Sequence, residues 1–209
     1  MKILFLGGNL AKNLSGWLKE QGETVVYRED KITIEELKQI IPDIVITYNY
    51  KFIIPKEIIE FMKGNIINLH ISFLPWNRGA HPNVWSFLEN TPKGVSIHYV
   101  DEGIDTGDII VQKEVYKEVY IDEEKETLKT SYEKLHKEIQ ELFKNNWENI
   151  KRKKIIPKKQ LEGGSIHYKK DCRFFESFIN EKGWDISIRE FKEKFKTWNC
   201  FYKVNLSSK

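Results

Sequence analysis

Cysteine is scarce in this chain. Of its 209 residues only Cys172 and Cys200 are cysteines, and they lie far apart without CxxC spacing. That excludes a disulfide-stapled scaffold and a zinc-ribbon framework, and it fits reduced thiols in the cytoplasm. Long apolar runs are missing as well: none approaches the roughly 20 residues that a helix needs to cross a bilayer. The opening MKILFLGGN passes from a short apolar strand into glycines with no small-residue cleavage pattern, so no signal peptide is read there. Cytoplasmic localisation without a membrane partner is the expectation. There is no internal repeat and no low-complexity segment.

What is present is a globular composition, 40% hydrophobic and 31% charged, enough for one full core and a small appendage. The net charge of +3 hides an asymmetry. Residues 151–209 hold 16 Lys and Arg against 7 Asp and Glu, so the first 150 residues are acidic and the remainder basic. The run KRKKIIPKK (151–159) reads as solvated surface. No RNP, zinc-finger or helix-turn-helix pattern accompanies it, so no nucleic-acid partner is expected.

The first half alternates short apolar runs with amphipathic ones. Strands are expected at 2–7, 24–27, 43–48 and 65–70. The helix at 9–22 puts Leu10, Leu14, Trp17 and Leu18 on one face. A second, at 33–41, opens on a Thr33-x-x-Glu36 capping box, and a third follows Pro55. Apolar strands separated by helices predict a mostly parallel sheet covered on both faces. Farther on, 81–90 reads as helical, and KGVSIHYVDEG with DIIVQKEVYKE as two strands around a loop. A long helix is expected over 126–150, with Leu128, Tyr132, Leu135, Ile139, Leu142 and Trp147 as its apolar stripe. The reading divides the chain into a main domain over 1–160 and a small aromatic-rich C-terminal extension over 161–209. That tail includes Phe174, Phe175, Phe178, Trp184, Phe191, Phe195 and Trp198. Such a surface makes a homodimer plausible.

Two stretches carry chemistry. In NLHISFLPWNRG (68–79), Asn68 and His70 stand two residues apart on a strand, so both project from one face while Leu69 points away. Pro75 ends the strand, and in an open α/β sheet the carboxyl ends of strands are where ligands bind. In DEGIDTGDII (101–110), carboxylates crowd among glycines without the spacing of an EF-hand, so no metal is expected. One of these acids facing His70 would hold the imidazole and stabilise its cation. Asn68 would offer an amide donor to a developing oxyanion. No Ser, Cys or Thr occupies a nucleophile elbow, which suggests direct acyl transfer with no covalent enzyme intermediate. The bland alternatives are a structural histidine and a tight hairpin.

NLHISFLPWNRGAHP together with GVSIHYVDEGIDTGDII resembles the 10-formyltetrahydrofolate-dependent formyltransferase family, over roughly residues 1–160. The resemblance implies the formyltransferase fold, an open, mostly parallel Rossmann-like α/β sheet with helices on both faces, plus the short C-terminal extension. It implies Asn68, His70 and Asp105 as catalytic residues. Asn68 and a protonated His70 would polarise the formyl oxygen, which gives a bell-shaped pH profile; Asp105 would pair with His70 and help deprotonate the amine. The folate co-substrate is expected against Phe52, Ile53 and Ile54 and against Val100, Asp101 and Gly103. Gly8 and Asn9, after the first strand, are expected near the acceptor. PWNRGAHPNVWSFLE looks most like the branch that formylates nucleotide-linked amino sugars for glycan biosynthesis. Asn77 and Arg78 would contact such an acceptor, the guanidinium pairing with phosphate. Methionyl-tRNA and glycinamide ribonucleotide formyltransferases and formyltetrahydrofolate deformylases are the alternatives. The roughly 50 residues after the main domain look too few for a tRNA-holding barrel.

Overall fold

The computed structural model describes residues 1–115 and 122–206, with side chains through residue 197. Strands β1 (Lys2–Gly7), β2 (Thr24–Arg28), β3 (Ile44–Tyr48) and β4 (Ile66–His70) alternate with helices α1 (Asn9–Glu20), α2 (Ile34–Ile40) and α3 (Lys56–Met62). A two-residue strand β5 (Arg78–Gly79) and helix α4 (Pro82–Leu88) follow, then strands β6 (Gly94–Tyr99) and β7 (Ile109–Glu114). The expected run of β7 past residue 115 lies outside the described residues. Next come the long helix α5 (Leu128–Lys151), a second two-residue strand β8 (Ile166–His167), and helices α6 (Arg173–Lys182) and α7 (Ile188–Leu206).

The main sheet has six strands in the order β2-β1-β3-β4-β6-β7. The first four are mutually parallel, whereas β6 runs antiparallel to both β4 and β7. Strand alternation sorts the core into two layers. Ile3, Phe5, Ile46, Ile67 and Ile97 face α1 and α5, where Leu14, Leu18, Ile139, Phe143 and Trp147 complete one apolar cluster. Leu4, Leu6, Val45 and Ile66 face α2 and α3, against Leu37, Ile58 and Met62. Continuous apolar strands with helices on both faces are thus the mostly parallel architecture expected.

Local signals act as their chemistry requires. Thr33 Oγ1 accepts from the Glu36 amide at 3.3 Å while the Glu36 carboxylate accepts from the Thr33 amide at 2.9 Å, closing the capping box. A third apolar cluster joins Val84 and Phe87 of α4 and Leu128 of α5 to Cys172, Phe175, Ile179, Ile188 and Phe191. The aromatic tail is therefore packed into the same body as the sheet-bearing segment. Among the described residues, no helix is long and apolar enough to cross a membrane. Trp198 and Cys200 lie beyond the described side chains.

Candidate active site

β4 stops at His70 because the chain must leave the sheet for the turn carrying Pro75 to Gly79. Asn68 and His70 share the α2/α3 face, beyond where those helices cover it. In register, Asn68 sits beside Thr47 on β3 and His98 on β6. Thr47 Oγ1 donates to Asn68 Oδ1 at 2.8 Å, which fixes the amide so that Nδ2 points the other way. Nδ2 then donates to Asp105 Oδ1 at 3.1 Å and lies 3.2 Å from His98 Nε2. The His98 Nδ1–H donates to the Tyr99 carbonyl at 2.7 Å, which orients the ring.

Asp105 is the hub. It reaches the cluster from the β6–β7 loop with φ of 51°, a left-handed conformation that few non-glycine residues adopt. Its Oδ2 accepts from the Gly79 amide at 2.9 Å and lies 3.7 Å from His70 Nδ1, and its Oδ1 lies 3.4 Å from His98 Nε2. Burial by itself would raise its pKa. The neighbouring His70 and His98 and the Gly79 amide outweigh that and hold it well below the usual carboxylate range. Asp105 is therefore a carboxylate at any physiological pH.

His70 is buried, with Nε2 3.2 Å from the Asn77 carbonyl, so that nitrogen carries the proton. Burial lowers the ring's pKa below 6.5; Asp105 and the Asn77 carbonyl pull the other way without overcoming it, and His98 adds to the lowering. The ring in the free site is thus neutral near pH 7, with Nδ1 facing Asp105. The resemblance implied a protonated His70 at work, a form that the free site by itself does not favour.

The expected folate contacts divide. Ile54 and Val100 meet in the apolar cluster under α2 and α3. Ile53 is 79% exposed beside them, and Phe52 packs edge-on against Tyr50. Lys56 pairs with Glu102 at 2.8 Å, linking the 52–56 segment to the Asp105 loop. Asp101 shapes its own loop: Oδ1 accepts from the Gly103 amide at 3.1 Å and from Thr106 Oγ1 at 2.6 Å. Gly103 is required by packing, since a Cβ there would meet Thr106 Oγ1 at 2.0 Å.

The expected acceptor contacts are less available. Asn77 is fully buried, its amide donating to Thr91 Oγ1 at 2.7 Å and its carbonyl facing His70. It offers the site a backbone oxygen and no side chain. Arg78 turns its Nε and Nη2 to Gln160 Oε1, at 3.1 and 2.8 Å. That edge of the guanidinium is not open to a phosphate. Gly8 and Asn9 lie at the end of β1, two strands from β4 and so about 10 Å across the sheet. Tyr27 Oη sits 2.9 Å from both the Gly7 and Gly8 carbonyls and steadies that turn.

Sequence reasoning missed His98, Thr47 and the Gly79 amide. The alternation of SIHY already puts Ser96 and His98 on one face; only the antiparallel pairing of β6 with β4 brings that face to Asn68. Among the described residues no group of three or more His, Cys, Asp or Glu is placed to hold a metal ion.

The open α/β sheet thus gathers an amide, two imidazoles and an ionised carboxylate in one place, a set of groups able to donate hydrogen bonds and exchange protons. Residues 17–144 match the formyl transferase family, and the chain belongs to that family. The formyltransferase PseJ from Anoxybacillus kamchatkensis, solved with UDP-4,6-dideoxy-4-formamido-L-AltNAc and tetrahydrofolate, is 43% identical. It superposes with a TM-score of 0.82 over 91% of this chain and 97% of its own. A sugar N-formyltransferase from Shewanella sp. is 25% identical with a TM-score of 0.70, over 83% of this chain and 79% of its own. Methionyl-tRNA formyltransferase from Thermodesulfovibrio yellowstonii is 34% identical over 178 residues, which are 83% of this chain and 54% of that protein. The chain spans about half the length, or less, of the curated relatives it matches.

Proposed function

We propose that this protein transfers a formyl group from 10-formyltetrahydrofolate to the amine of a nucleoside-diphosphate-linked amino sugar. One observation carries the acceptor: the match to PseJ, which was solved with a UDP-linked formamido sugar and tetrahydrofolate, extends over nearly its entire length. The curated methionyl-tRNA formyltransferases are matched over about half of their length or less, and a solved one from Clostridium thermocellum over 72% of its chain with a lower TM-score of 0.62.

The cluster supports direct transfer. The neutral amine attacks the formyl carbon, the carbonyl electrons move to oxygen, and the C–N10 bond then breaks as N10 takes up a proton. Both N–H bonds of Asn68 are engaged in the free site, by Asp105 and His98. The developing oxyanion replaces one of those partners and gains an amide donor in a water-poor setting. The proton lost by the amine passes to His70, and the ionised Asp105 stabilises the imidazolium that forms. The proton then goes to N10.

A second reading is formyl transfer to methionyl-tRNA, favoured by the names of the curated relatives. One experiment separates the possibilities. Donor consumption is followed with 10-formyltetrahydrofolate against nucleotide-linked 3-amino and 4-amino sugars, glycinamide ribonucleotide, methionyl-tRNA and no acceptor. Turnover confined to an amino sugar is expected. Turnover with methionyl-tRNA would move the acceptor to the second reading, and consumption without any acceptor would make the protein a deformylase.

A further inference from the structure

We propose that Gln160 is a positioning residue of the catalytic site, clamping the loop that carries Asp105 to the turn that carries Arg78. Its side-chain amide is fully used. Oε1 accepts from Arg78 Nε at 3.1 Å and Nη2 at 2.8 Å, while Nε2 donates to the Asp105 carbonyl at 2.7 Å and the Gly107 carbonyl at 2.9 Å. Four bonds exhaust what an amide side chain can make, and all four go to the two segments that build the cluster.

The loop needs such a hold. Asp105 has φ of 51°, a strained conformation that persists only where surrounding contacts over-determine it. Gly107 is pressed on Tyr99, where an added Cβ would lie 1.9 Å from the carbonyl oxygen, so the loop cannot shift inward to relax. The carbonyls that Gln160 holds belong to Asp105 itself and to the residue two positions on, so the peptide bearing the carboxylate is fixed from its far side. On the near side, the carboxylate bonds Asn68 and the Gly79 amide.

The segment that presents Gln160 is itself pinned at both ends. Lys158 and Ile109 exchange two backbone hydrogen bonds of 2.8 Å. Beyond Gln160, Ser165 Oγ accepts from the Asn77 amide at 3.0 Å, and β8 pairs with β5. Gly164, at φ of 85°, lies against Pro75, where a Cβ would meet the carbonyl oxygen at 2.1 Å. Residues 158–167 thus form a strap across the turn and the Asp105 loop, and Gln160 is the side chain of the strap that bonds both.

The kinetic arm of the test rests on the proposed formyl transfer; the spectroscopic arm does not. Gln160→Met keeps the length of the side chain and removes its hydrogen bonds. Gln160→Glu keeps a partner for Arg78 but sets a carboxylate against two carbonyls. Both variants are expected to lower kcat roughly tenfold or more while KM for the folate changes little, because a displacement of about 1 Å in a reacting group suffices for such a loss. In an Asp105→Asn background, neither is expected to lower kcat further. In an NMR titration of the Asp105 carboxyl, Gln160→Met should move its midpoint up toward the ordinary 3.9 of an aspartate. An unchanged midpoint, wild-type kcat, or equal losses in both backgrounds would overturn the clamp. If the wild-type protein transfers no formyl group, the functional reading fails and the titration still decides the role of Gln160. Should the Met variant not fold, the Glu variant carries the same comparisons.

Discussion

At Asp105 and His70, burial and charge pull in opposite directions, and the outcomes differ. Burial disfavours the charged form of each, but Asp105 has two imidazoles and an amide beside it, and its pKa falls despite burial. His70 has one carboxylate at 3.7 Å, beyond hydrogen-bond reach, and burial prevails. Asp105 is therefore ionised well below pH 4, and His70 gains its proton only below pH 6.5. Turnover is expected to rise with pH through the acid range, as the amine and His70 lose their protons, and then to stay level. A pH profile of kcat checks this: a decline setting in between pH 7 and 8.5 would mean that the working ring is protonated, the bell first expected from the resemblance. His98→Gln should lower kcat about tenfold or more with folate affinity little changed, because Asp105 and Asn68 lose a shared neighbour; steady-state kinetics with unaltered turnover would contradict it. That Asn68 and His70 share a face was legible from strand alternation alone, since they stand two residues apart, while their place in a candidate site came with the resemblance. Asp105 was legible only through the resemblance, as four acids crowd its loop and composition cannot choose among them. His98 was not legible, because nothing local to VSIHYV says which strand it will pair with.

The helices through α5 and the long strands were read from periodicity to within a few residues, whereas β5, β8 and the tail helices α6 and α7 escaped. A two-residue strand has no period, and its partner lies almost 90 residues away in sequence. The same holds for the bond between Tyr48 of β3 and His136 of α5, at 2.6 Å, which ties the long helix to the sheet. His136 fell off the apolar stripe expected for α5, yet it is buried among Tyr48, Tyr132 and the core. Burial pushes its pKa down from 6.5 to about 4. The sign follows directly. As pH falls below 6.5 the unfolded chain binds this proton first, so stability drops until about pH 4, where the folded protein binds it too. The loss from this one group is about 3 kcal/mol, at roughly 1.4 kcal/mol per unit. His136→Gln retains an acceptor for the Tyr48 hydroxyl and cannot titrate. Urea unfolding at pH 7 and pH 4.5 should therefore show a smaller acid loss in the variant by about 2 to 3 kcal/mol, and an equal loss in both proteins would rule His136 out as the source.

For the whole molecule, the informative feature is how the chain's two compositional halves share a core. Sequence alone sets an aromatic-rich tail after residue 160, because the residue pattern and aromatic density change there. In the structure, Phe175 is 1% exposed and lies against residues from both sides of that boundary. It meets His81 at 5.3 Å and Trp85 at 6.0 Å between ring centroids on one side, and Phe191 at 6.1 Å on the other. His81 follows the WNRG turn after Ala80, so the same cluster supports the loop that reaches Asp105 through Gly79. Composition could not reveal this, because a tail packed on its own and a tail packed into the main body have the same residues. Phe175→Ala deletes a buried ring and should cost about 3 to 5 kcal/mol. If the chain unfolds as one body, that cost lowers a single transition, reported at the same denaturant concentration by far-ultraviolet circular dichroism and by tryptophan fluorescence. Separate transitions, with only one of them shifted by Phe175→Ala, would mean that the tail melts by itself and that its contacts with α4 contribute little to holding the site.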